Sequence, residues 1–85
     1  MYMIESPYYS MLKQYDEENH SDLCEVFMHY LENKRNINQT AASVYLHRNT
    51  VLNKIKKATS IMSNECEDYQ AVIGFIFSYL SDHGL

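Results

Sequence analysis

Leu23, Val26, Phe27, Tyr30 and Leu31 follow one another at intervals of three and four residues. That spacing puts five apolar side chains on a single stripe of a helix, which must be covered by other parts of the chain. Three more segments carry the same period: Tyr8, Met11, Leu12 and Tyr15; Val51, Ile55, Ala58 and Met62; and Tyr69, Val72, Ile73, Ile76, Tyr79 and Leu80. Sheet signals are scarce, and with two Gly and one Pro in 85 residues the chain is not loop-rich. The pattern predicts an all-α protein.

Local signals divide it. Ser6-Pro7 reads as an N-cap followed by proline at the first helical position, and the polar run Asp16 to His20 as a connection. Ser21 and Asp22 can cap the second helix, which should end around Glu32 to Lys34 with Asn33 or Asn36 available for a left-handed residue. Asn38 is the expected N-cap of a short third helix from Gln39 to about Tyr45, where Ala41 and Ala42 are small enough for a close crossing. After a turn at Leu46-His47, a fourth helix runs from about Arg48 to Met62. Asn64 and Glu65 to Asp68 interrupt the pattern before a fifth helix that stops near Gly84. Phe75 and Phe77 widen the apolar arc of that last helix. A compact five-helix bundle forming one domain over residues 1–85 is expected.

A chain of this length buries roughly 60 to 65% of its unfolded surface, which leaves little room for an enclosed catalytic cleft. It carries no nucleophile and base pair, glycine-rich phosphate loop or metal-ligand cluster, so neither an enzyme nor a cofactor or metal is expected. Cys24 and Cys66 stand apart as free thiols. The near-continuous apolar run Ala71 to Leu80 is far short of the roughly 20 residues of a membrane span, and no charged-then-apolar leader opens the chain. A cytoplasmic protein is expected.

Charge is distributed unevenly. The net charge is −4, yet six of the seven basic residues (Lys34, Arg35, Arg48, Lys54, Lys56 and Lys57) lie between positions 34 and 57, where no acidic residue occurs. Such a protein cannot coat nucleic acid with its whole surface, but one face can neutralise phosphates. Within the basic stretch, Thr40 to Val51 reads as two short helices joined by a tight turn, the second opening with polar and basic side chains. That is the layout of a helix-turn-helix, here helices three and four over about residues 38–62.

The same residues resemble the C-terminal DNA-binding domain of the purine catabolism regulator (PucR) type of bacterial transcription factor. The likeness lies in Tyr30-Leu31, Asn38, Thr40-Ala41, Val44-Tyr45-Leu46, His47-Arg48-Asn49-Thr50, and Val51 to Ile55 with Lys54, and it extends upstream through Leu12 and Tyr15-Asp16 and downstream into the last helix. Where this chain has Asn53-Lys54 the family usually has Tyr-Arg, and where it has Ser63-Asn64 the family has a Gly. Operator preference is therefore not carried over. The resemblance implies a transcription regulator that normally joins this domain to an upstream sensory region and binds paired half-sites as a dimer.

With the helix of about residues 48–62 in the major groove of double-stranded DNA, Arg48, Asn49 and Asn53 would reach base edges, Arg suiting guanine and Asn adenine. Gln39, Thr40 and Thr50 lie near helix N-termini, where phosphate oxygens are favoured, and Lys54, Lys56 and Lys57 add charge along the backbone. The acidic residues from Glu5 to Glu32 would have to face away from DNA.

Other candidate residues have plainer readings. His47 has no partner ligand nearby in sequence and suits a turn or cap, and Asp16-Glu17-Glu18 suits a solvated connection. The alternative function is a helical protein-interaction or dimerisation module that does not bind DNA. Its docking face would be the last helix, through Phe75 and Phe77, and a homodimer through that face is equally compatible with DNA binding.

Overall fold

A computed structural model describes residues 7–62 and 69–84. Five α-helices follow in order: α1 (Pro7–Asn19), α2 (Leu23–Glu32), α3 (Ile37–Val44), α4 (Arg48–Met62) and α5 (Tyr69–Asp82). Ser6, Cys66, and the expected break at Asn64 and Glu65 to Asp68 lie outside the described residues.

The centre of the assembly is α2, as its uninterrupted apolar stripe demands. It packs against each of the other four helices and buries Leu23, Cys24, Val26, Phe27 and Met28. α4 contributes Val51, Ile55, Ala58 and Met62, the four expected from the spacing, and α3 contributes Ala41. On α1 the buried residues are Tyr9 and Leu12. Met11, expected on the stripe, is exposed: the stripe is turned so that Tyr9 meets Phe75 of α5 edge-on, ring centroids 5.5 Å apart.

Phe75 is completely enclosed and also meets Phe27 at 5.2 Å. The expectation that Phe75 helps form a docking face is therefore overturned, because its ring is the core contact that holds α5 to α1 and α2. Phe77, on the opposite side of α5, is exposed. A polar clamp closes the α1–α5 seam: the Tyr9 hydroxyl donates to Asp82 Oδ2 (2.7 Å), and Lys13 Nζ reaches the same oxygen (2.6 Å). The two donors, Lys13 first, hold the Asp82 carboxyl below its ordinary range. Burial, then the bond to Asp82, pushes the Tyr9 phenol up. Burial likewise raises the Cys24 thiol, which is free and packed as a small hydrophobe.

The connections differ from expectation in detail. Asp16 belongs to the last turns of α1, and instead of being solvated it caps α2 from outside: its carboxylate accepts from Ser21 Oγ (2.5 Å), Leu23 N (2.9 Å) and Cys24 N (2.8 Å). Asp22, at the N-cap position itself, makes no capping bond with its side chain. α2 ends with Lys34 and Arg35, not Asn33 or Asn36, in the left-handed region (φ 56° and 64°). Asn33 serves α2 otherwise, donating its side-chain amide to the His29 carbonyl (2.7 Å).

Candidate DNA-binding interface

α3 begins two residues earlier than its sequence suggested because Asn36, not Asn38, caps it. Asn36 Oδ1 accepts the Gln39 backbone N–H at 2.9 Å, satisfying one of the free donors of the first turn. Gln39 stands three residues after its cap, the spacing of a capping box, so Asn36-x-x-Gln39 was the better signal. α3 ends at Tyr45 in the left-handed conformation (φ 57°, ψ 41°), and both Tyr45 N and Leu46 N point back to the Ala41 carbonyl. Tyr45 is 92% exposed, so its large ring stands in solvent at the apex of the turn.

Beyond the turn, His47 caps α4, its ring Nδ1 accepting the Asn49 N–H at 3.1 Å. The first residue of α4, Arg48, donates through Nε to Asn38 Oδ1 at 2.9 Å, which ties the beginnings of the two helices together. This contact was not foreseen. It gives Asn38 a role in orienting Arg48 rather than in capping, and it leaves the terminal guanidinium nitrogens out of the bond.

At 100° per residue, the side of α4 opposite Val51, Ile55, Ala58 and Met62 is formed by Asn49, Asn53, Lys56 and Ser60. All four are exposed. Thr50 and Lys57, also exposed, border the flank next to the α1–α2 corner, where a shallow groove is lined by Tyr15, Ser21, Leu23, Thr50, Asn53, Lys54 and Lys57. Lys57 Nζ sits 5.4 Å from the centre of the Tyr15 ring, a cation–π arrangement that anchors the lysine without consuming its charge.

Two of the expected positions behave differently from the rest. Thr40 is fully buried, its hydroxyl donated to the Asn36 carbonyl at 2.7 Å, so its side chain is withdrawn from the phosphate-contacting set. Lys54 is half-buried and ion-paired, Nζ to Asp22 Oδ1 at 2.6 Å. Asp22 thereby breaks the expectation that the acidic first third faces away from the basic helix: the start of α2 lies beside the second turn of α4, and a carboxylate there meets the lysine. Arg48, Asn49, Asn53, Gln39, Thr50, Lys56 and Lys57 all remain on the surface.

Among the described residues no group of His, Cys, Asp and Glu is arranged to hold a metal ion, and no helix is long and apolar enough to cross a membrane. Neither the curated proteins nor the solved structures gave a match to the chain. The family model of the PucR C-terminal helix-turn-helix domain matches residues 23–75, from the first residue of α2 to Phe75 of α5. That span holds the central helix and the whole helix-turn-helix but not α1, so it is narrower than the likeness drawn from the sequence. Covering well over half of the chain, it assigns the protein to the family of PucR C-terminal helix-turn-helix domains.

Proposed function

We propose that this domain binds double-stranded DNA sequence-specifically, as the DNA-reading part of a PucR-like bacterial transcriptional regulator working in the cytoplasm. The observation that carries the reading is the exposed row Asn49, Asn53 and Lys56 along α4, directly opposite its buried row, with Arg48 also exposed at the helix start. A helix so arranged can enter a major groove N-terminus first without giving up any core contact. Arg48, Asn49 and Asn53 then read base edges. Gln39, Thr50, Lys56 and Lys57 meet the phosphates, Gln39 from the first turn of α3, where backbone N–H groups and the helix dipole favour an anion.

The upstream sensory region common to such regulators would join ahead of α1. Pairing of two copies on two half-sites would use α5, through Ile73 and Phe77, which are 41% and 54% exposed. Phe75 takes no part in that contact. An interaction module without DNA binding is the lesser reading, since it gives no use to the basic and amide row on α4.

The test is fluorescence anisotropy of labelled mixed-sequence duplex across salt concentrations, with Arg48→Ala/Lys56→Ala as the comparison. Steep salt dependence that the double substitution flattens supports the reading, because each lost phosphate contact removes about 0.9 from the slope of log K against log salt. Absence of binding by the folded domain at low salt and high concentration would overturn it.

A further inference from the structure

We infer that Asp22 is a specificity-determining residue of the DNA-binding face: it occupies the Lys54 ammonium in the free protein and so lowers affinity for arbitrary DNA. The inference rests on the DNA-binding reading of α4. Asp22 stands at the N-cap position of α2, where Asp or Asn normally accepts a backbone N–H. Here that work is done by Asp16, whose two oxygens take Ser21 Oγ, Leu23 N and Cys24 N. The Asp22 carboxylate is left without a capping bond and turns to Lys54 Nζ at 2.6 Å.

Its position is fixed. The residues on either side are held by Asp16, and the Asp22 carbonyl accepts the Val26 N–H at 3.1 Å. The positive end of the α2 dipole stabilises the carboxylate where it is. Lys54 lies on the flank of α4 with its side chain 28% exposed, whereas the Asp22 side chain is 50% exposed. A phosphate can use Lys54 only by displacing this carboxylate. Non-specific affinity is almost wholly phosphate neutralisation, and the many arbitrary sites of a genome compete with the operator. A countercharge held beside α4 therefore weakens binding at the arbitrary sites that compete with the operator. Lys57, a turn further along, sits over the Tyr15 ring instead of on a carboxylate.

The experiment measures binding of the wild-type domain, Asp22→Asn, Lys54→Met and the double variant to mixed-sequence duplex by anisotropy across salt, with thermal melts to establish folding. Asn is an equally good N-cap residue, so Asp22→Asn preserves the start of α2. If it frees one phosphate contact, it binds up to about eightfold more tightly than wild type near 0.1 M salt and steepens the slope by up to about 0.9. In the Lys54→Met background the same substitution gains less than about twofold, because the carboxylate acts through the ammonium. An equal gain in both backgrounds would mean that only net charge matters and would overturn the inference, as would unchanged affinity and slope for folded Asp22→Asn while wild type binds. Failure of every variant to bind DNA would remove the DNA-binding reading and this inference with it.

Discussion

Tyr45 offers a substitution in which removing a large aromatic side chain from a helix-turn-helix should stabilise it. Its backbone sits at φ 57° and ψ 41°, and its side chain is 92% exposed. Left-handed backbone costs a residue bearing Cβ about 1 to 2 kcal/mol, a penalty that glycine escapes. Glycine in turn gives up about 0.5 to 1 kcal/mol because its unfolded chain is freer. Comparing Tyr45→Gly with Tyr45→Ala cancels the loss of the ring, since both variants remove it, and isolates the balance: glycine should be more stable than alanine by about 0.5 to 1 kcal/mol. With the ring so exposed, Tyr45→Gly should also exceed wild type, by roughly 0.5 kcal/mol or about 2 to 4 °C in Tm for a domain of this size. The assay is reversible thermal and urea unfolding followed by circular dichroism. Glycine no more stable than alanine at position 45 would refute the reasoning, because it would mean that the turn is not left-handed in solution or that strain there is relieved by other means.

Four further outcomes are expected. Phe75→Ala empties a fully enclosed site between Tyr9 and Phe27 and should cost about 3 to 5 kcal/mol, enough to abolish the near-ultraviolet dichroism of native packing, whereas Phe77→Ala should stay within about 0.5 kcal/mol. Asp16→Ala should lower stability by about 2 kcal/mol in urea titration through loss of the cap on α2, and Asp22→Ala by much less, the reverse of what their places in sequence suggest. On DNA, Asn49→Ala should cost about 1 to 3 kcal/mol at one preferred base pair and relax discrimination there, while Lys56→Ala weakens all duplexes alike and lowers the salt slope by about one. Stability should be level across neutral pH and fall at both ends. The Asp82 pKa is lowered on folding, so its contribution is present above the ordinary carboxylate value and lost as pH falls through the folded one. The Tyr9 and Cys24 pKa values are raised, so theirs are lost as pH climbs past the ordinary thiol and phenol values, and Tyr9→Phe should flatten that alkaline decline in urea midpoints.

The helices and the buried side of α2 and α4 were legible because a period of 3.6 residues is a property of the chain itself. Val51, Ile55, Ala58 and Met62 could have been buried together in no other regular structure. Rotation of α1 was not legible, since Tyr8, Tyr9, Met11 and Leu12 allow two stripes and the choice is made by Phe75 from the far end of the chain. For the same reason Phe75 read as surplus apolar area when it is the centre of the α1–α5 seam. At the candidate interface the exposed row of α4 follows from the same period, so Asn49, Asn53 and Lys56 fell where expected. What escaped were partnerships between distant residues, Lys54 with Asp22 and Arg48 with Asn38, which decide how many of the charges and donors are engaged inside the protein. Thr40 was misread because a threonine near a helix start suits both a phosphate and its own backbone carbonyl, and only burial distinguishes them.

The seating of α1 on α4 has a mechanical consequence. Tyr15 presses on Lys57, and Asp22 at the start of α2 pairs with Lys54, so the α1–α2 corner is fastened to α4 at two points. A lever attached to the start of α1 would turn both as one body. Movement in any segment joined there would reach DNA as a change in the angle and spacing at which α4 is presented, with the helix-turn-helix itself left undistorted.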